Sequence, residues 1–86
     1  MEEIKVFVIY DLKTELFSNP ITDTRKQFDD YMKFLINDSK TNESKFPNDF
    51  LLYELGLYDV QTGYINLYDD KKLLQSLADY KIYSEA

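Results

Sequence analysis

The period of the hydrophobic pattern changes along this chain, and each change predicts a different element. Residues 4–10 alternate between two faces, both largely apolar, which is typical of a strand inside a sheet rather than at its edge. A turn is predicted over residues 11–14. Residues 15–17 can add a short edge strand, which ends before Pro20 because proline has no backbone N–H to donate.

The pattern becomes helical between residues 24 and 38. Apolar side chains recur there at spacings of three and four, which places them on one buried stripe. They are Phe28, Tyr31, Met32, Leu35 and Ile36. Thr24 and Gln27 have the spacing of a capping box at the helix start. We predict this to be the main helix of the domain.

Two aromatic-rich runs, residues 50–58 and 64–68, predict a β-hairpin. Asp59 can accept hydrogen bonds from its own turn backbone, and Gly63 can take the positive φ that closes the loop. A glycine inside the first strand, Gly56, indicates a bulge or the close approach of another backbone.

The remaining segments complete one domain over residues 1–86. The polar segment 40–48 is predicted to be an exposed loop, and residues 81–86 a possible tail. Four apolar side chains with helical spacing predict a short helix over residues 70–79. They are Leu73, Leu74, Leu77 and Tyr80. The expected fold is α+β: a small antiparallel or mixed sheet of about three or four strands, the main helix on one face, and a short C-terminal helix.

The composition excludes several chemistries. The chain has no Cys and no His, so it lacks disulfides, thiolate metal ligands and the commonest general base. A lysine partner across the sheet explains Glu54 better than acid catalysis does. The adjacent acidic pairs at 29–30 and 69–70 suit helix caps and a solvated helix face. We therefore predict no enzymatic activity, no catalytic residue, no cofactor and no metal site.

The charge balance limits the partners. The chain has ten Lys and Arg residues and sixteen Asp and Glu residues, which gives a net charge of −6. This balance argues against strong, general DNA binding unless the cations cluster on one face, and against an anionic membrane surface. No apolar run approaches about 20 residues, so we expect a soluble protein without a membrane partner.

The many aromatic side chains leave two surfaces to consider. One face of the sheet should remain uncovered by the helix. Some of six candidate side chains should lie on that face, and which of them do so depends on which face the helix covers. The six are Lys5, Phe7, Ile9, Tyr53, Tyr64 and Tyr68. Such a face can stack unpaired bases, pack against a second copy, or pack within the chain; the net negative charge favours the second copy. On the helix, Arg25, Lys26 and Lys33 could contact phosphate, or could form surface pairs with the interleaved Asp29 and Asp30.

An ordered set of motifs spans most of the chain. An aromatic and β-branched strand ends in Asp11; Arg25 and Phe28 open a helix; Pro47 with Asp49 and Phe50 enters a strand. Leu-Gly-Leu-Tyr-Asp at 55–59 then precedes Thr-Gly at 62–63. The set resembles the small nonstructural protein of gokushoviruses, the single-stranded DNA phages of the Microviridae.

The resemblance implies a DNA-binding accessory protein that acts in phage genome replication or its handover to packaging, in the host bacterial cytoplasm. On that hypothesis the phosphate contacts are Lys5, Arg25 and Lys26, and the stacking residues are Phe7, Tyr53 and Tyr64. The alternative is a non-catalytic homo-oligomeric module, a dimer first of all, that binds a phage or host protein. Its interface candidates are Ile9, Tyr58 and Tyr68.

Overall fold

The computed structural model describes residues 3–81 and shows a five-stranded antiparallel sheet with one main helix against one face. The strands are β1 (Ile4–Asp11), β2 (Leu16–Phe17), β3 (Ile21–Asp23), β4 (Phe50–Tyr58) and β5 (Ile65–Ser76). The α-helices are α1 (Arg25–Asn37) and α2 (Asn42–Lys45), and 3-10 turns cover Pro47–Asp49 and Leu77–Tyr80.

The sheet is built around β1. Its strand order is β2-β1-β4-β5, and β3 also pairs with β1. Because β4 pairs with the full length of β1, the short strands β2 and β3 share the opposite edge. The α+β class and the internal position of β1 are confirmed. The strand count exceeds the prediction because the segment before α1 returns to β1 twice.

Helix α1 begins and packs much as its sequence predicts. Thr24 caps it, its Oγ1 accepting a hydrogen bond from the backbone N–H of Gln27 at 3.3 Å. Phe28, Met32 and Ile36 are fully buried. Tyr31 was expected on the same stripe but is exposed, since it lies toward the solvent edge of that stripe.

The helix covers the sheet face that carries Phe7 and Ile9, which settles the choice of face. The Phe7 ring stacks on the Phe28 ring with centroids 4.0 Å apart. The buried cluster is Phe7, Ile9, Phe28, Met32, Ile36, Leu52, Leu77 and Tyr80. The core therefore lies between α1 and this face, and no helix within residues 3–81 lies over the opposite face.

The β4–β5 turn confirms the hairpin prediction. Asp59 Oδ1 accepts hydrogen bonds from the backbone N–H groups of Gln61 and Thr62, at 2.9 and 3.4 Å. Gly63 has a φ of +78°. At Gly56, a Cβ would overlap the carbonyl oxygen of Asn66, and the pairing shifts register beside it. The bulge and the close backbone approach expected at Gly56 are both present.

The predicted helix over residues 70–79 is wrong. Strand β5 continues to Ser76, and only the turn Leu77–Tyr80 is helical. Leu73 pairs with Tyr53, whereas Leu74 is an extra residue at a register shift and packs against the core. This extra residue breaks the alternation of β5, so the spacing of Leu73, Leu74 and Leu77 imitates that of a helix.

The segment 40–48 is more structured than the expected loop. Thr41 Oγ1 accepts a hydrogen bond from the Ser44 backbone N–H at 3.0 Å and caps α2. Ser44 is buried and accepts a hydrogen bond at its Oγ from Lys81 Nζ at 2.8 Å. The same ammonium donates to the Ile36 carbonyl at the end of α1, at 3.1 Å. Of the possible tail, residues 82–86 lie outside the described part of the chain.

Candidate functional site

A charged depression lies beside the first half of α1, with a volume of about 610 Å³. Its lining residues are Glu3, Lys5, Thr24, Arg25, Lys26, Asp29, Asp30 and Lys33. Lys5, Arg25 and Lys26, the three residues predicted to contact phosphate, all lie on this one surface. Strand β1 supplies the first and the start of α1 supplies the other two.

The start of α1 has an unusual charge. Its first turn holds Arg25 and Lys26 and no acidic residue. The N-terminus of a helix already carries partial positive charge, so cations there cost helix stability and add to the positive potential. Asp29 offsets the positive charge of Arg25, because the Arg25 Nε donates to both carboxylate oxygens of Asp29, at 2.9 and 3.1 Å.

Two lysines of the depression have no such partner. None of the ion pairs within residues 3–81 involves Lys26 or Lys33, and both side chains are exposed. Four cations face three carboxylates in the lining, and one of those carboxylates is held by Arg25. The buried Glu54 offsets the charge of Lys5, so the depression is close to neutral in an otherwise acidic protein, with Lys26 and Lys33 as its exposed cations.

Lys5 is anchored by a buried carboxylate. Its Nζ lies 3.5 Å from Oε1 of Glu54, which is only 2% exposed. Tyr68 donates its hydroxyl to the other carboxylate oxygen at 2.5 Å. This hydrogen bond, with burial, raises the pKa of Tyr68 to about 12. The predicted lysine partner of Glu54 is present, and β4 lies inside the sheet.

A second cluster, again of one tyrosine, one cationic side chain and one carboxylate, joins the last 3-10 turn to α1. Tyr80 donates its hydroxyl to Oδ1 of Asp29 at 2.6 Å. Burial and this hydrogen bond raise the pKa of Tyr80 well above its ordinary value. Arg25 completes the cluster and reaches Gln75 Oε1 through Nη2 at 3.0 Å. Arg25 is therefore a structural residue as well as part of the depression.

Two of the aromatic and apolar candidates are in the core. Phe7 is fully buried between the sheet and Phe28, so it is not available to stack on a base. Ile9 is buried under the same helix and cannot contribute to an interface. Both corrections follow from the face that α1 covers. Tyr68 points to the helix side, where its hydroxyl is bound to Glu54.

Tyr53 lies on the uncovered face, in an aromatic cluster. The Phe17 ring is 4.6 Å from that of Tyr10 and 5.8 Å from that of Tyr53, centroid to centroid. Lys71 Nζ lies 5.7 Å from the rings of both Phe17 and Tyr53. The predicted phosphate contacts and this predicted stacking residue are thus on opposite sides of the sheet. The remaining candidates lie at the β4–β5 turn: Tyr58 ends β4, and Tyr64, which is exposed, comes just before β5.

Phe34 was not among the predicted site residues, yet it is 71% exposed on α1. It lies four residues after Asp30, so helical spacing places its ring beside that residue, next to the depression and not in its lining. A signal was available: Phe34 falls on the polar side of the helix, where burial does not explain an aromatic residue.

Residues 3–81 show no cluster of three or more acidic side chains able to hold a metal ion. Within the same residues, no helix is long and apolar enough to cross a membrane.

The sequence model of one protein family, described as Phage ORF5 protein, matches residues 4–80. Its span runs from the first residue of β1 to the end of the last 3-10 turn. No curated protein and no solved structure matches the chain.

Proposed function

This chain belongs to the Phage ORF5 protein family, and from that premise we propose that it is a non-enzymatic phage accessory protein that binds single-stranded DNA weakly. The resemblance to the small nonstructural protein of gokushoviruses supports a role within the host cytoplasm, either in genome replication or in the handover of the genome to packaging. The proposed contact surface is the charged depression beside α1, extended by Phe34.

One observation carries this proposal. Lys5, Arg25, Lys26 and Lys33 are four of the ten cationic residues of the chain, and they line a single depression. A phosphate backbone gains most of its sequence-independent affinity from such cations. Lys26 and Lys33, exposed and outside the described ion pairs, need not break an internal contact to bind phosphate.

The exposed ring of Phe34 favours a single strand over a duplex. Unpaired bases can stack on an aromatic side chain whatever their sequence, whereas paired bases present no free face. The three carboxylates in the lining keep the attraction small. Binding should therefore be weak and strongly dependent on salt.

The test is fluorescence anisotropy of a labelled thymidine oligomer, about 16 nucleotides long, which covers the site size of a small binding domain. We expect affinity to fall as salt rises, with a log–log slope of about −0.7 for each phosphate contacted. Lys26→Glu should weaken binding severalfold and make that slope shallower. Lys40→Glu makes the same charge change outside the depression and should bind almost as wild type does.

The Lys26→Glu variant also separates binding from folding. A glutamate in the first turn of α1 interacts favourably with the helix dipole, so the variant should be at least as stable as wild type. A loss of binding then cannot be attributed to unfolding. No binding by wild type at low ionic strength, or equal losses in the two variants, would refute the proposed site.

A further inference from the structure

The uncovered face of the sheet, called the free face here, is apolar across β1, β4 and β5. Residues that pair directly across antiparallel strands share a face, so the register assigns its members. They are Ile4, Tyr58 and Ile65; Val6, Gly56 and Leu67; Val8, Tyr53 and Leu73; and Tyr10, Phe17, Leu51 and Ser76. None of these residues is charged. Lys71 is placed over the aromatic rings of this face.

Large side chains on the outer strands of this face are open to solvent, whereas Val6 and Val8 on β1 are buried among their neighbours. Leu67 is 69% exposed and Leu73 is 55% exposed, and Phe17 and Ile65 are exposed as well. A contiguous apolar patch that spans several strands usually marks an interaction surface on a small soluble domain. Helix α1 and the last turn pack on the other side of the sheet, where the core lies.

The outer edge of β5 is a poor docking surface by contrast. Four consecutive charged residues, Asp69 to Lys72, lie where the pairing with β4 is interrupted, between Glu54 and Gly56. Charges and bulges on an edge strand prevent edge-to-edge pairing with another sheet. The face of the sheet, and not its edge, is therefore the surface that remains to be covered.

We propose that a second copy of this chain covers the free face, so that two sheets pack face to face about a two-fold axis. With strands about 4.8 Å apart and about 3.3 Å of rise per residue, the free face measures roughly 500 Å², so two copies bury about 1,000 Å² in total. That area reaches the lower limit for a specific interface, and the dimer should dissociate on dilution.

The charge distribution favours a copy of the same chain over nucleic acid at this face. The cross-strand sets of the free face contain no charged residue, and Lys71 is the cation that reaches its rings, so two copies bring few like charges together there. Single-stranded DNA at this face would contact Lys71 but few other cations. Most of the other side chains there are aliphatic and have no ring to stack on bases. The net charge of −6 on each copy opposes association from a distance, and salt screens that repulsion.

The proposal therefore predicts a dimer that strengthens with salt. Sedimentation velocity over a range of protein concentrations, at low and at high salt, should show a monomer–dimer equilibrium that shifts toward dimer as salt rises. DNA binding at the depression should shift in the opposite direction. The two proposals can consequently fail separately.

Two substitutions on the free face and one matched control locate the contact. Leu67→Glu and Leu73→Glu should each give a monomer at concentrations where wild type is dimeric. Phe34→Glu places the same charge at an equally exposed apolar residue on the helix side, and should remain dimeric. Circular dichroism verifies folding, and a folded Leu67→Glu suffices if Leu73→Glu does not fold.

Three outcomes would overturn the inference. Wild type could remain monomeric at every concentration and salt. Folded Leu67→Glu could dimerise as well as wild type. Phe34→Glu could abolish the dimer while both leucine variants retain it, which would place the contact on the helix side.

Discussion

Two clusters in this fold each consist of one tyrosine, one cationic side chain and one carboxylate. They differ in how far the carboxylate is exposed to water. In the first, Tyr68 and Lys5 contact Glu54; in the second, Tyr80 and Arg25 contact Asp29. Each joins a residue from the last third of the chain to one from the first. Glu54 is 2% exposed, whereas the side chain of Asp29 is 29% exposed.

The difference shows how burial sets the value of an ion pair. A carboxylate without water depends on its two partners, and the loss of either leaves a buried charge that is poorly compensated. A carboxylate that water can reach replaces a lost partner with solvent. The Glu54 cluster should therefore be sensitive to small changes that the Asp29 cluster tolerates.

Removal of the cation should separate the clusters most. Lys5→Met should lower the free energy of unfolding by about 2–3 kcal/mol, somewhat less than for a fully buried pair because Lys5 is partly exposed. Arg25→Met should cost about 1 kcal/mol or less through its ion pair. Urea unfolding of both variants measures the gap. Equal losses would mean that burial of Glu54 has no effect on its pairing.

Removal of the tyrosine hydroxyls should give a smaller difference of the same sign. Tyr68→Phe takes a hydrogen bond from a buried charged group and should cost about 1.5–2 kcal/mol, whereas Tyr80→Phe should cost about 1 kcal/mol. Each change keeps the ring, so packing is preserved. A larger loss for Tyr80→Phe in the same urea experiment would reverse the comparison.

The smallest effect is a decline of stability at alkaline pH. Both tyrosines have a pKa that is raised in the folded state, so the unfolded chain loses these protons first as pH rises. The stabilisation is complete below pH 10.0 and is lost as pH approaches the folded pKa of Tyr68, about 12. In Tyr68→Phe the decline should be shallower than in wild type, by unfolding measurements across this range. Parallel curves would contradict the assignment.

Local patterns were sufficient for the elements that depend on local rules. The strand over β1, the Thr24 cap and the hairpin turn at Asp59 and Gly63 were all predictable, because alternation, capping and turn chemistry act over a few residues. The strand nature of 70–76 was not. A register shift puts Leu74 and its neighbour Gln75 on the core side in succession, so the regular alternation of a strand is lost from the sequence.

The sequence was sufficient to group the cations that line the depression, but not to place the aromatic candidates. Helical and strand spacing already place Lys26 and Lys33 on the outer face of α1, and the fold brings Lys5 beside them. The burial of Phe7 depends on which face of the sheet α1 covers, and two apolar faces give no basis for that choice. The exposure of Phe34, in contrast, follows from its position on α1.

The central position of β1 also has a consequence for the order of folding. β1 is synthesised before every strand with which it pairs, and its pairing with β2 and β3 and its contact with α1 need only the chain that follows directly. The other edge of β1 pairs with β4, from Ile4 opposite Tyr58 to Asp11 opposite Phe50. A growing chain therefore presents an apolar strand with one open edge until the hairpin has been synthesised, and such pairings across long sequence separations form slowly. That interval is when a chaperone, or another nascent chain, can bind the unpaired edge.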